Sequence, residues 1–142
     1  PLIAFWPGTV KPGTVTDHVS AFQDFMPTIC SIAGVEIPAE TDGLSFLPVM
    51  TGKKQEQHEY LYWEFPEYGG QQAVITGKYK ALRKGMHNGN TVFKLYDLEN
   101  DVQETTDISA DHPEIMSKVQ EIARKEHHTS KNPRWRFPVI GE

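Results

Sequence analysis

The fold is decided by the stretch QAVITGKYKALR, residues 72–83. Two short segments with apolar side chains, Gln72 to Ile75 and Tyr79 to Arg83, flank Thr76-Gly77-Lys78. Glycine tolerates the left-handed backbone that a tight turn between antiparallel strands requires. The stretch therefore predicts a β-hairpin with a compact turn.

Neighbouring segments extend this hairpin into a larger sheet. The residues from Tyr60 to Phe65 are rich in aromatic side chains, which favour strands. The residues from Val92 to Leu98 follow the turn-forming sequence Asn88-Gly89-Asn90 and predict a returning strand. We expect an antiparallel sheet of three to four strands, after which Asp97 and Asp101 bind loop N–H groups.

A long C-terminal helix is predicted to pack on this sheet. Its apolar side chains recur at helical spacing, at Ile115, Val119, Ile122 and Ala123. Asp111, with Glu114 three residues later, resembles a capping box and predicts where the helix begins. Beyond the helix, Arg134-Trp135-Arg136 predict a tail that either wraps back over a surface or stays mobile.

The beginning of the chain predicts a different kind of structure. The unbroken apolar run from Leu2 to Trp6 predicts a strand that is covered on both faces, as in a parallel sheet. A helix follows, capped by Asp24, with Pro27 in its first turn and Gly34 at its end.

A composition change near residues 51–58 indicates a boundary between two parts of the chain. We therefore predict an α+β fold. Residues 1–55 would be the end of an α/β domain, and residues 56–142 a small subdomain in which the long helix packs on the sheet.

The composition also excludes several classes of function. The net charge of −5 provides no basic patch for nucleic acid, and no apolar run approaches the roughly 20 residues that span a bilayer. We therefore expect no nucleic acid and no membrane as a partner. Cys30 is the only cysteine, which excludes an intrachain disulfide and a cysteine metal cluster.

Five phrases of this sequence resemble sulfatase phrases and follow in the same order. They are Pro1 to Gly8, Asp24 to Thr28 with Ala33-Gly34-Val35, Asp42 to Pro48, Gly77 to Lys80, and Leu95 to Asp101 with Glu104. Together they cover nearly all of the chain, which thus resembles the C-terminal portion of a type I sulfatase. This is the arylsulfatase family of the alkaline-phosphatase-like superfamily, and the style is closest to its bacterial members.

The resemblance implies a parent enzyme that hydrolyses sulfate esters of a carbohydrate or an aryl alcohol. In this family a formylglycine, made in a Cys/Ser-x-Pro-x-Arg motif, and a calcium ion perform the reaction. The resemblance places both in a catalytic domain that precedes this chain. It therefore implies the missing N-terminal catalytic domain as a partner and no catalytic or metal-binding residue here. It also implies export to the periplasm or secretion, although no signal is visible.

Other chemistries find less support in the residues. Cys30 lacks a proline two residues later and an arginine four residues later, so we expect an inert buried thiol beside the apolar stripe of a helix. His127 and His128 are adjacent in the predicted helix, so their side chains diverge. The remaining histidines show no ligand spacing: His18, His58, His87 and His112. We expect solvated histidines, and no nucleophile elbow supports a serine triad.

The segment from Trp63 to Gln71 is the candidate substrate-binding region. Trp63 and Tyr68 could stack on a sugar ring, and Glu64 could bind hydroxyl groups. An equally supported alternative puts Trp63 and Phe65 in the subdomain core and leaves Glu64 facing solvent. His18 is a further candidate for the same pocket rim.

Two other functions remain open at this point. The chain could be a stand-alone binding or assembly module that lacks the chemistry. It could also be the tail of a related phosphodiesterase or phosphonate hydrolase, because such enzymes share the Asp-x-x-Pro-Thr helix.

Overall fold

The computed structural model describes residues 2–141, which divide into two compact units with their boundary between His58 and Glu59. The first unit contains the helices α1 (Phe25–Ala33) and α2 (Leu47–Met50). Among the described residues, no helix is both long and apolar enough to cross a bilayer. Within residues 2–141, five short 3-10 helices accompany the larger elements: Phe22–Asp24, Met86–Asn88, Ser109–Asp111, Pro133–Trp135 and Pro138–Ile140.

The strand predicted for Leu2 to Trp6 is wrong, because these residues form no strand. A strand is held by hydrogen bonds to a neighbouring strand, and the described part of the first unit contains none. Leu2, Ile3 and Phe5 are instead exposed, Ile3 to 91%, and Trp6 is partly buried.

Helix α1 has the predicted length but a different environment. Gly34 ends it in the left-handed conformation, at φ +67°, as expected. Its predicted apolar stripe is not covered within the described structure, since Phe25, Ile29 and Ile32 are exposed. Pro27 and Thr28 are its buried residues.

Asp24 is a buried hydrogen-bond acceptor rather than the predicted helix cap. It stands at the N-cap position of α1, but its side chain accepts no hydrogen bond from that helix. Its carboxylate oxygens lie 2.8 Å from the backbone nitrogen of Leu44, 2.7 Å from that of Ala21 and 2.8 Å from Nε2 of His58. A carboxylate with no solvent exposure needs such partners, and these tie the loop around Leu44 to the start of α1.

Two further residues hold the same loop. The Thr28 hydroxyl donates to the Asp24 carbonyl (2.6 Å) and accepts from the backbone N–H of Phe46 (2.9 Å). Gly43 lies so close to the chain that an added Cβ would stand 2.1 Å from the carbonyl oxygen of Gln23. The Asp-x-x-Pro-Thr segment at the start of α1 and the loop that contains Asp42-Gly43 therefore pack directly against each other.

The second unit is built on the predicted antiparallel sheet. Its strands are β1 (Leu61–Phe65), β2 (Gln71–Thr76), β3 (Tyr79–Lys84) and β4 (Lys94–Asp97), and they pair in chain order. The central turn contains two residues, because Thr76 pairs with Tyr79 and belongs to β2. Gly77 takes a positive φ of +55°, which explains the glycine at this turn.

Helix α3 (Pro113–Glu126) covers the inner face of this sheet. The core joins inward side chains of the sheet, namely Val74, Ala81 and Leu95, to Val119, Ile122 and Ala123 of the helix, together with Phe93. The predicted apolar stripe is thus confirmed. The predicted start is not, because the helix begins at Pro113, and the side chain of its N-cap residue His112 accepts no capping hydrogen bond. Proline at the first helical position costs no hydrogen bond.

The loop after β4 is ordered by two carboxylates, as the sequence predicts. Asp97 accepts from the backbone N–H of Glu99 (3.0 Å), and Asp101 accepts from those of Thr105 and Thr106 (both 2.8 Å). The Nζ of Lys78 lies 2.7 Å from Asp97 Oδ2. Hydrogen bonds from Lys78 and Asn100 lower the pKa of Asp97 to about 2.

This pKa makes the second unit sensitive to acid. Because the unfolded chain has an Asp pKa of about 3.9, the stability due to the Asp97 charge is complete above that pH and is lost as the pH falls to about 2. We expect Asp97→Asn to flatten the pH dependence of thermal unfolding between about pH 4 and 2. Unfolding midpoints at several pH values check this, with exposed Asp111→Asn as the control. Equal slopes in wild type and Asp97→Asn would contradict it.

Candidate functional site

Strand β1 presents different side chains on its two faces. Trp63 and Phe65 point away from α3 and remain exposed, Trp63 to 36%. The Phe65 ring stacks on Tyr68, with ring centroids 5.9 Å apart and an interplanar angle of 20°. The structure therefore brings Phe65 and Tyr68 together on the exposed side of β1, the strand that also carries Trp63.

The loop that carries Tyr68 has a defined shape. Tyr68 is 87% exposed and adopts a positive φ of +52°, which is uncommon for a residue other than glycine. The imidazole Nε2 of His87 lies 2.9 Å from the carbonyl oxygen of Pro66, and the backbone N–H of His87 donates to the Gly69 carbonyl (3.0 Å). An added Cβ on Gly70 would stand 2.8 Å from the Phe137 ring. These contacts hold the loop in a conformation in which the Tyr68 side chain is exposed to solvent.

Glu64 lies on the opposite, inner face of β1. Its carboxylate accepts hydrogen bonds from the hydroxyl of Tyr62 and the amide of Gln72, and it lies 2.6 Å from Nδ1 of His127. Burial, followed by the hydrogen bond to Glu64, raises the pKa of the Tyr62 hydroxyl. The alternative in which Glu64 faces solvent while Trp63 and Phe65 fill the core is therefore wrong.

Glu64, Gln72 and Arg83 form a polar row across β1, β2 and β3. The register aligns Glu64 with Gln72, and Gln72 with Arg83. The guanidinium donates twice to the Gln72 side-chain oxygen, once to the Thr91 carbonyl (3.2 Å), and lies 4.5 Å from the Phe93 ring centroid. Burial lowers the pKa of Arg83, whereas Tyr62 and Glu64 raise it. Each member of this polar row has its partner inside the chain, so the row holds the sheet end rigid.

The outer face of the sheet carries a cavity with two lysines. Its volume is about 390 Å³, and its lining is Leu82, Lys84, Asn90, Val92, Lys94, Tyr96 and Asp107. Lys84 and Lys94 are exposed, and neither forms an ion pair with any of residues 2–141. The Asp107 carboxylate accepts from the backbone N–H groups of Leu95 (3.2 Å) and Ser109 (3.0 Å).

The remaining candidates lie elsewhere. His18 is partly buried in the first unit, and its Nδ1 has no hydrogen-bond partner among residues 2–141. Cys30 is partly buried in α1 rather than fully buried. His127 and His128 follow α3 instead of lying in it, and His58 and His127 are not solvated, because they contact Asp24 and Glu64. In the described part of the chain, no three acidic, histidine or cysteine side chains converge as metal ligands.

Sequence reasoning missed the partners Gln72, Arg83 and His127. A signal for the first two existed, because a two-residue turn at Gly77 fixes which residues of β2 and β3 face each other. No signal placed His127, which reaches Glu64 only because the chain after α3 turns back. The tail does wrap over a surface, since Phe137 is buried, with its ring centroid 5.5 Å from that of His87.

Comparison with known proteins identifies the family. The model of the N-sulphoglucosamine sulphohydrolase C-terminal family matches residues 1–132. Human arylsulfatase A is 42% identical over 85 residues, which are 57% of this chain and 17% of that protein. The N-acetylglucosamine-6-O-sulfatase of Bacteroides thetaiotaomicron is 26% identical over 140 residues, with 92% of this chain and 25% of that protein covered.

Solved structures support the fold. A crystal structure of Ps i-CgsB in complex with k-i-k-neocarrahexaose matches with a TM-score of 0.71 at 23% identity, over 84% of this chain and 27% of that one. The predicted α+β fold class, with its antiparallel sheet and packed helix, is confirmed. The chain spans at most about a quarter of the two curated relatives. These two come from a mammal and a bacterium, so a bacterial origin stays a prediction. The relatives that it matches are sulfatases, and the chain belongs to the N-sulphoglucosamine sulphohydrolase C-terminal family.

Proposed function

We propose that this chain is the C-terminal part of a sulfatase that hydrolyses sulfate esters of a carbohydrate or an aryl alcohol. The observation that carries the proposal is the family match over residues 1–132. The proposal gives residues 1–55 to the end of the catalytic domain and residues 56–142 to a supporting subdomain. A bacterial source and export to the periplasm or beyond belong to the same proposal.

The proposed partner of the first unit is the N-terminal catalytic domain. Exposed apolar side chains support this, because large apolar side chains left exposed together often mark an interface. They lie before and along α1: Ile3, Phe5, Phe22, Phe25, Met26 and Ile29. The family match makes a domain of the same parent protein the simplest occupant of this surface.

Calcium and formylglycine belong to the parent in this proposal. They would supply charge neutralisation and the nucleophile for the sulfate group. The described residues do not fit either group, because no three ligating side chains converge and Cys30 lacks the Pro and Arg of the modification motif. The segment alone is therefore proposed to be inactive.

The contribution proposed for this chain is part of the substrate-pocket rim. Exposed Trp63 and Tyr68 offer ring faces on which a pyranose can stack. Glu64 would act by holding β1 in place through its internal hydrogen bonds. His18, in the first unit, is the fourth proposed rim residue; its Nδ1 is buried and has no hydrogen-bond partner among residues 2–141.

A parallel assay tests the function. Hydrolysis of 4-nitrophenyl sulfate with calcium is measured for the 142-residue chain and for the protein from its complete reading frame. Activity in the complete protein alone supports the proposal. Activity in the chain alone overturns the placement of the chemistry. Activity in neither favours the stand-alone binding module, and turnover of phosphate diesters or phosphonates instead favours the related hydrolases.

The rim predicts a substrate-dependent defect. We expect Trp63→Ala to lower kcat/KM for a sulfated disaccharide about fivefold, because a lost stacking contact is worth about 1 kcal/mol. Hydrolysis of 4-nitrophenyl sulfate by the same variant should change little, because this substrate has no sugar ring. Trp135→Ala, an exposed tryptophan of the tail, is the control. An equal loss on both substrates would argue against a rim contact.

A further inference from the structure

The outer face of the sheet combines positive charge with aromatic rings. The register places Phe65, Gln71 and Lys84 in one row across β1, β2 and β3. Trp63, Ala73, Leu82 and Lys94 form the next row, which extends to β4. These side chains share one face because alternate residues of a strand point the same way.

We propose that this outer face is a second binding site, which holds a sulfated oligosaccharide without cleaving it. Lys84 and Lys94 would bind a sulfate group at the cavity, and Phe65 would hold a neighbouring sugar ring. The choice of a sulfated glycan as ligand rests on the proposed function. The binding itself does not, because it needs neither the nucleophile nor the calcium ion.

The lysines are available for an anion. Both are exposed, and within residues 2–141 neither is committed to a carboxylate in an ion pair. By contrast, the nearby Lys80 on the same face already pairs with Glu104. The cavity also contains Asp107, whose carboxylate accepts two backbone N–H groups. Its net formal charge is thus +1, on a chain of net charge −5.

The cavity wall is held in shape. The Asn90 amide donates to the Lys84 carbonyl (2.7 Å), and its oxygen accepts from the backbone N–H of Val92 (3.0 Å). Lys84 and Lys94 themselves stand on adjacent strands of a four-stranded sheet. A sulfate group can therefore meet both ammonium groups without a rearrangement of the backbone.

The strand spacing and the net charge favour a short sulfated sugar over a nucleic acid. Neighbouring strands lie about 4.8 Å apart, so β1 and β3 are roughly 10 Å apart, a separation that a short oligosaccharide can bridge. Between Phe65 and Lys84, the Gln71 amide can bind a hydroxyl group. A long polyphosphate would meet the net negative charge of the chain, whereas a short sulfated sugar meets only the local lysines.

The test compares two double variants that remove the same charge. Lys84→Gln/Lys94→Gln removes the proposed contacts, and Lys118→Gln/Lys131→Gln removes two exposed lysines outside the cavity. The probe is a fluorescently labelled heparin tetrasaccharide. Its anisotropy is titrated with the protein from its complete reading frame, in a metal chelator so that turnover does not interfere. A chemically desulfated tetrasaccharide is titrated in parallel.

We expect the Lys84/Lys94 variant to bind the sulfated probe about tenfold more weakly, and the control variant to bind within about twofold of wild type. The desulfated probe should bind weakly to all three proteins. Equal affinities in the three proteins, or equal losses in the two variants, would overturn the site. Hydrolysis of 4-nitrophenyl sulfate, measured separately with calcium, reports on the proposed function alone. A protein without that activity that still shows the lysine-dependent binding retains the site.

Discussion

Gly43→Ala is expected to unfold the loop that joins α1 to the segment before α2. The added Cβ would stand 2.1 Å from the Gln23 carbonyl oxygen and 2.9 Å from the Asp24 Cα. Because both neighbours are backbone atoms, neither can move aside without breaking the hydrogen bonds of Asp24. We expect a loss of more than about 3 kcal/mol in the stability of the first unit.

Amide hydrogen exchange measures this loss at the right place. The backbone N–H groups of Leu44 and Phe46 donate to Asp24 and Thr28, so their protection should fall sharply. Gly52→Ala is the control for replacing a glycine without a steric clash, because nothing lies within 4 Å of the added carbon; its φ of +72° adds a left-handed strain that Gly43 does not have. Left-handed strain alone costs about 1–2 kcal/mol. If both variants lose protection equally, steric exclusion at Gly43 is not the cause.

Arg83→Met is expected to destabilise the second unit strongly. It leaves the buried Gln72 oxygen without the donor that Arg83 supplies, and it removes the cation that lies over the Phe93 ring. An abandoned buried acceptor costs about 1–3 kcal/mol, and the lost ring contact adds to this. We expect a total loss of about 3 kcal/mol in the free energy of unfolding.

Urea unfolding of the second unit checks the Arg83 prediction. Lys84→Met is the control, because this neighbour lies on the outer face and is exposed. A surface change of this kind stays within about 0.5 kcal/mol. A comparable loss in both variants would show that the polar row does not stabilise the sheet end.

Local sequence patterns account for most of the second unit. The hairpin around Gly77 and the helical spacing of Val119 and Ile122 depend on neighbours in the chain, and both predictions are confirmed. The helix start was misplaced because Asp111 and Glu114 satisfy the capping-box pattern, yet Pro113 is the first helical residue. A pattern of residue types does not reveal which N–H groups remain free to be capped.

The errors in the first unit have a different origin. The run from Leu2 to Trp6 has the composition of a buried strand, but composition does not supply the neighbour that a strand needs. Asp24 was placed correctly at the start of α1, and its distant partners Leu44 and His58 were not foreseen. Contacts that join residues so far apart in the chain leave no periodic signal.

The sequence predicts which segment contains the candidate site, but not which of its side chains share one face of the sheet. Strand alternation puts Trp63 and Glu64 on opposite faces, so the two cannot contact one ligand from the same surface. Which face was exposed depended on where α3 packs, and that is a tertiary property. The lysines of the outer face became visible only through the pairing of β3 with β4.

The pairing of the four strands in chain order has a consequence for how the second unit assembles. Each strand pairs with the one before it across a short loop, so little chain entropy is lost before the hydrogen bonds between the two strands form. During synthesis, β1 to β4 can pair before α3 has emerged, and Glu64, Gln72 and Arg83 then align early. His127 arrives last and closes over a row that is already formed.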